Sequence, residues 1–234
     1  MNPQPRRLSA DEKPDTLSGH GRSGLSATDF REPRAMAEQT ATDTSGATDG
    51  GNLYRRLIDI GIALSAERDT DRLMEMILLE AKNIGNADGG TLYIRTDDEK
   101  LKFEIMRTDS LKIAMGGTTG KPIAFPPLAM FDPETGQPNH RNVATHAAVA
   151  GTSINIPDAY EAKDFDFAGT RKFDAGTGYR SKSFLTVPLK NRQNSVIGVL
   201  QLLNARDRAT GDVIPFSTEI QPVIRQMAAN DELQ

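Results

Sequence analysis

Apolar residues recur along this chain in two rhythms, and the changes from one to the other mark out its elements. From Leu53 the spacing is helical: Leu53, Leu57, Ile60 and Leu64 fall at i, i+4, i+7 and i+11 and make one stripe. A second stripe, Leu73, Ile77, Ala81 and Ile84, follows, with Asp69 or Thr70 as its N-cap. Gly85 is placed to end that helix in the left-handed conformation. Each stripe reads as core packing or as a helical dimer seam. The rhythm then shifts to strand period. Thr91–Arg95 and Leu101–Met106 flank the polar turn Thr96–Lys100, and Leu101, Phe103 and Ile105 alternate with polar neighbours, which predicts an antiparallel hairpin. A second hairpin is predicted from Ser183–Leu189 and Ser195–Leu203, joined by the polar turn Lys190–Asn194. The near-continuous apolar run Val196–Leu203 marks a buried central strand.

Between the hairpins the pattern is irregular. Gly116-Gly117 and Pro126-Pro127 interrupt Thr108–Arg141, Asp132–Gly136 is a turn, and Pro122–Phe125 is the one short strand expected there. So long a connection inside a compact domain points to a lid or binding loop. Asn142 is the N-cap of an Ala-rich helix running to Ala150, with Gly151 as terminator, and Ser153–Ile156 is a brief strand. Glu161–Thr170 reads as a charged, aromatic surface stretch, and Asp174–Ser181 as a loop or short helix lining a pocket. A last helix is expected over Thr218–Ala229, with Ser217 as cap and Pro222 in the first turns, where its missing N–H costs least. The predicted fold is α+β: a central antiparallel sheet of about six strands, terminal helices on one face, pocket loops and short helices on the other.

Composition narrows this picture. Residues 1–51 carry no periodic apolar pattern and are expected to be a disordered tail, leaving 52–234 as the domain. Hydrophobic content of 37% and aromatic content of 6% fit a chain of which part does not fold. A net charge of -4 gives no reason to expect a nucleic-acid partner. The absence of cysteine excludes disulfides, thiolate catalysis and thiolate zinc sites. With no apolar run of membrane-spanning length and no signal-peptide core, the expected location is cytoplasmic, away from membranes. His20, His140 and His146 lie in three different segments, and no acid–base pair or phosphate-binding loop is present. No catalytic residue, metal site or cofactor is therefore assigned, and the domain is read as non-enzymatic.

Binding chemistry is better represented. Asn142–Thr145 sit at a helix N-terminus, where free N–H groups suit an anion, and the small Ala144 and Ala147 let a ligand approach the backbone. Asp174, Thr177 and Ser181 could read a ligand's polar edge, and Gln201 offers both donor and acceptor. Alternatively, Asp174 caps a following helix and the two hydroxyls bond their own backbone.

Four stretches, in order and at nearly the family's spacing, resemble the GAF family of small-molecule sensor domains. They are Asn155-Ile156-Pro157-Asp158-Ala159-Tyr160, Thr177-Gly178-Tyr179-Arg180, the strand Phe184–Leu189, and Val196-Ile197-Gly198-Val199 leading into Leu203-Asn204. The resemblance covers roughly Leu53 to Ala229 and implies a GAF/PAS-like fold and a role in signal transduction, as in cyclic-nucleotide phosphodiesterases, cyclases and bacterial signalling proteins. Positions that bind cyclic nucleotides in some members match Thr91, Ala144, Asp174, Thr177, Ser181 and Gln201; Thr145 joins them through the helix N-terminus. The chain departs from those members at Ala205, where they carry Lys, and at Ile220-Gln221, where they carry an acidic pair, so their Lys–Asp ion pair cannot form.

The expectation is a sensory or regulatory domain that binds a small polar ligand, with anionic and nucleotide-like ligands among the candidates. It would pass its state to an effector through the terminal helices, with Leu53–Leu64 and Thr218–Ala229 forming a homodimer seam. It would be the sensory part of a longer signalling protein or a stand-alone regulator. The alternatives are a dimerisation module whose pocket is filled by Phe125, Phe165, Phe167 or Phe173, and a cyclic-nucleotide-binding domain or part of a phosphodiesterase or cyclase.

Overall fold

The computed structural model describes Arg55 and residues 58–228. The expected tail over residues 1–51 lies outside these, as do Leu53 and Leu57. Residues 58–66 form helix α1, which turns Ile60 and Leu64 inward onto Leu73, Ile77 and Met227. Asp69 then caps α2 (Thr70–Ile84), its carboxylate accepting from the N–H groups of Asp71 and Arg72. The stripe read from the sequence is the buried one, with Ile77 and Ala81 fully enclosed. The helix end differs from expectation. Gly85 stays right-handed at φ -75°, and the left-handed residue is Asn86 at φ 45°. An Asn tolerates that conformation because its short amide bonds locally; here Asn86 Nδ2 donates to the Arg206 carbonyl at 2.6 Å.

The sheet contains β1 (Ala87–Arg95), β2 (Lys100–Thr108), β3 (Ile113–Gly116), β4 (Leu128–Ala129), β5 (Ile154–Ile156), β6 (Phe184–Lys190), β7 (Val196–Arg206) and β8 (Val213–Ile214). Its order is β3-β2-β1-β7-β6-β5, with β4 added on β2 and β8 on β7, and every pairing is antiparallel. Both predicted hairpins are present. Pro122–Phe125, however, is not a strand; β3 and β4 lie on either side of it. Prolines at 122, 126 and 127 have no N–H to give a ladder, which favours the flanking residues.

β1 also starts before the predicted Thr91, because Ala87, Gly89 and Gly90 pair with β7 despite their low strand propensity. Gly90 has a specific reason to lack a side chain. A Cβ there would sit 2.7 Å from Leu78 Cδ1 and 3.1 Å from Lys82 Cγ, so its absence lets α2 pack close to the sheet. Gly90→Ala is expected to cost about 1–3 kcal/mol through overpacking, read as a lower urea midpoint with an unchanged slope.

One face of the sheet carries α1, α2 and α5 (Ile220–Ala228). Leu92, Ile105, Leu185, Val187, Leu200 and Leu202 meet Met74, Leu78 and Ile224 there. Arg107 also lies on this side and pairs with Glu75 of α2, while its guanidinium donates to the carbonyls of Met106 at 2.8 Å and Met115 at 2.6 Å. Burial works to raise the Glu75 pKa, but bonds from Thr118 and Arg107 outweigh it and hold the carboxyl below its ordinary range. Ala205 is buried in the same apolar cluster as Phe216, and Ile220 packs on it. Apolar contact thus occupies the place where cyclic-nucleotide-binding members carry their ion pair. The last helix begins at Ile220, two residues later than expected, after Ser217 Oγ accepts from the Glu219 N–H at 3.1 Å.

The opposite face carries α3 (Val143–Ala150) and α4 (Ala168–Thr177). α4 is longer than the sequence suggested. It takes in the end of the stretch read as surface and the first half of Asp174–Ser181, the segment read as a loop or short helix.

Candidate functional site

Strand pleating decides what lies beneath α3 and α4. On β1, Leu92 faces the helical layer, so Thr91 and Tyr93 face the other way; on β7, Leu200 and Leu202 flank Gln201 in the same manner. Cross-strand register places Gln201 directly between Thr91 of β1 and Thr186 of β6. These three form a polar row across the centre of an apolar sheet. The Gln201 carboxamide accepts from Tyr93 Oη at 3.2 Å and donates to Thr186 Oγ1 at 3.0 Å. Burial pushes the Tyr93 phenol pKa well up, against a smaller opposing effect of the Thr91 hydroxyl, so the ring stays neutral.

Above this floor is a cavity of about 300 Å³. Its walls come from the 125–128 loop, the start of α3, α4, and Ser181. Six aromatic rings line it: Tyr93, Phe103, Phe125, Phe167, Phe173 and Phe184. Three of the four phenylalanines expected to fill the pocket do turn toward it, yet the space remains; the fourth, Phe165, stacks edge-on against His146 at 5.3 Å.

Of the residues singled out from the sequence, Thr91, Ser181 and Gln201 line the cavity together. The other four lie off its wall. Ala144 packs against Tyr93, Leu101, Met130 and Val199, where its small side chain lets α3 approach the sheet. Thr145 is fully buried, its hydroxyl donating to the Asn139 carbonyl at 2.7 Å. Asn142, not a ligand, takes the free donors of α3, its side chain accepting from the Ala144 N–H at 2.9 Å and the Thr145 N–H at 3.3 Å. Thr177 is exposed and donates to the Phe173 carbonyl at 2.9 Å, closing the last turn of α4.

Asp174 belongs to α4 instead of capping a later helix. Its carboxylate accepts from Tyr160 Oη at 2.7 Å, the Ser181 N–H at 2.8 Å and Ser181 Oγ at 2.7 Å. The Arg180 guanidinium lies 4.2 Å from the centre of the Tyr160 ring. Asp174 therefore acts on the cavity through Ser181, which it holds in the wall.

The Thr-Gly-Tyr-Arg motif proves to be a latch for the same helix. Gly178 ends α4 at φ 70°, and Tyr179 reaches Asp88 on β1, donating at 2.6 Å. The Arg180 carbonyl accepts from Asn204 Nδ2 at 2.8 Å. Asp88 also accepts from Ser110 Oγ at 2.6 Å and from Arg206 Nη2 at 2.8 Å. Burial would raise the Asp88 pKa; the bonds from Ser110 and Tyr179 and the Arg206 charge outweigh it and leave the carboxyl below its usual range. Sequence reasoning missed Asp88, Thr186 and the part of the aromatic lining that Tyr93, Phe103 and Phe184 supply. Thr186 had a readable signal, as a polar residue in a strand otherwise apolar from Phe184 to Leu189.

His140, which precedes α3, and His146 within it meet with ring centres 4.7 Å apart. Among the described residues, no group of three or more His, Cys, Asp or Glu side chains is placed to hold a metal ion. No helix among them is long and apolar enough to cross a membrane.

A helix layer, a central antiparallel sheet and a cavity closed by α3 and α4 are the features expected of the resemblance, and the sequence profile of the GAF domain matches residues 69–230. This chain belongs to the GAF domain family. GAF domains are sensory and regulatory domains of signalling proteins, and the solved structures similar to this one agree in fold. The GAF domain of a phosphoenolpyruvate-protein phosphotransferase from Coxiella burnetii aligns with a TM-score of 0.53 at 13% identity, covering 77% of this chain and 92% of that one. The corresponding domain from Acinetobacter aligns with a TM-score of 0.51 at 13% identity, covering 77% and 89%. The free methionine-R-sulfoxide reductase of Neisseria meningitidis aligns with a TM-score of 0.50 at 17% identity, covering 77% and 86%. In sequence, a 62-residue stretch is 42% identical to a dual 3′,5′-cyclic-AMP and -GMP phosphodiesterase 11 from Drosophila melanogaster. That stretch is 26% of this chain and 4% of the length of the phosphodiesterase.

Proposed function

We propose that this GAF domain is a non-catalytic sensor that binds a small ligand in the cavity between the sheet and α4 and reports its occupancy through α2 and α5. The cavity carries this reading: an aromatic-walled space of about 300 Å³ with a few converging polar groups on its floor. Coupling follows from the pleat. Gln201 faces the cavity while its neighbours Leu200 and Leu202 pack into the cluster that holds Leu78 of α2 and Ile224 of α5. A shift of β7 on binding would thus be felt on the helical side.

The test is a thermal-shift screen of the full chain against cyclic nucleotides, cyclic dinucleotides, nucleobases and amino acids. Cyclic AMP and cyclic GMP belong in it because of the phosphodiesterase match. A ligand at a hundred times its Kd is expected to add about 2.7 kcal/mol of stability. The gain should vanish in Thr91→Phe, which puts a ring into the cavity from a strand position that tolerates aromatics.

A second reading, a dimerisation module with no ligand, draws on a different observation. Ile58 and Ile62 of α1 and Leu79 of α2 are 61%, 65% and 43% exposed, more apolar surface than a lone helical face usually shows to water. Under that reading no compound shifts the midpoint, and Ile62→Lys turns a dimer into a monomer in sedimentation equilibrium.

A further inference from the structure

Resting on the reading of the cavity as a ligand site, we propose that its ligand is uncharged, with a flat apolar body and an amide-type edge, and that the site discriminates against anions. Charge is the first ground. No Lys or Arg lines the cavity, and the one ionised side chain in its wall is the carboxylate of Asp166. That carboxylate accepts from the Ala168 N–H at 2.8 Å at the start of α4 and lies 3.6 Å from Arg141. Arg171 and Arg180, next in sequence to the wall residues Thr170 and Ser181, lie over the Tyr160 ring at 5.7 Å and 4.2 Å.

The start of each helix over the cavity already holds an acceptor, the Asp166 carboxylate at α4 and the Asn142 side chain at α3. Asn142 accepts from both the Ala144 and Thr145 N–H groups. A phosphate or carboxylate entering this space would give up its water without gaining a cation or those donors, a heavily penalised transfer.

Shape and hydrogen-bonding capacity supply the positive half. The six rings around the cavity make broad apolar faces suited to a flat molecule. On the floor, the Gln201 carboxamide is held at one end by Tyr93 and at the other by Thr186, and both of those side chains are buried. Those two bonds leave the amide one N–H and one oxygen lone pair. A primary amide, lactam or similar edge, with donor beside acceptor, complements that pair. A carboxylate of the same shape offers no donor and would leave the N–H–lone-pair match half made.

The experiment measures binding of charge-matched pairs to the full chain by ligand-observed NMR and thermal shift: nicotinamide against nicotinate, indole-3-acetamide against indole-3-acetate, adenosine against cyclic AMP. A fragment set balanced among neutral, anionic and cationic compounds is run beside them. Binding is ascribed to the cavity when it is lost in both Thr91→Phe and Leu203→Trp. The expected result is that cavity-dependent binders are uncharged, that the amide member of a pair binds at least about tenfold tighter than its anion, and that Gln201→Leu weakens it by about tenfold. Cavity-dependent binding of anions as tight as their neutral partners would overturn the inference and leave the ligand-site reading standing. If no compound of any charge binds in a cavity-dependent way, the ligand-site reading falls and takes this inference with it.

Discussion

Replacing Asp174 by alanine is expected to lower the stability of the full chain by about 3–4 kcal/mol and to remove stabilisation by any cavity ligand. The carboxylate is 4% exposed and takes three hydrogen bonds, from the Tyr160 hydroxyl and from both the N–H and hydroxyl of Ser181. Each bond to a charged group contributes roughly 1.5–3 kcal/mol, and they do not add in full because they share one acceptor. Alanine also leaves the buried Ser181 N–H without a partner. The functional loss follows from position: Ser181 is in the cavity wall and α4 supplies three more wall residues, Gly169, Thr170 and Phe173. Urea unfolding read by circular dichroism measures the first effect, and the thermal shift with a screened ligand measures the second. A variant of unchanged stability that still binds would mean that α4 is held by its apolar face alone.

The second large effect concerns Asp88. Asp88→Ala is expected to cost about 2–4 kcal/mol at neutral pH, since it removes the acceptor shared by Ser110, Tyr179 and Arg206. The lower part of that range is favoured because Arg206 is 36% exposed and can return to water. The pH dependence has a definite sign. The folded-state pKa of Asp88 is depressed from its ordinary 3.8, so its contribution is fully present above that value and is lost as pH falls through the lower folded value. The stability gap between wild type and Asp88→Ala should therefore be widest at pH 7 and begin to close near pH 4. A gap that widened on acidification would contradict the assignment.

These two carboxylates show what the sequence revealed and what it withheld. Periodicity located the helical stripe of α2 and both hairpins, because apolar spacing reports which face of an element is buried. Thr91 was reached only through the family resemblance, and Ser181 and Gln201 through that resemblance and their hydrogen-bonding chemistry; the structure brings the three to the wall of one cavity. Asp174 was picked out as important, but its role could not be read. Whether it meets a ligand or the Ser181 backbone depends on α4 running on to Thr177, and that helix has neither a clear stripe nor a side-chain cap at Phe167. Asp88 was passed over because its partners lie far away in sequence, at Ser110, Tyr179 and Arg206. The Pro122–Phe125 strand failed for a local reason: its residues are apolar, but Pro122 within it and Pro126-Pro127 after it have no N–H to give a ladder.

The central claim is that the space above Gln201 holds a ligand and that the helical layer senses it. Hydrogen–deuterium exchange of the full chain, with and without a stabilising compound from the screen, tests it most directly. The account predicts slower exchange in α4, around Ser181 and in β7 near Gln201, with a change also in α2 or α5 behind the sheet. Protection confined to the outer face of α1 and α2 around Ile58, Ile62 and Leu79, or a screen in which no compound stabilises the chain, would contradict it.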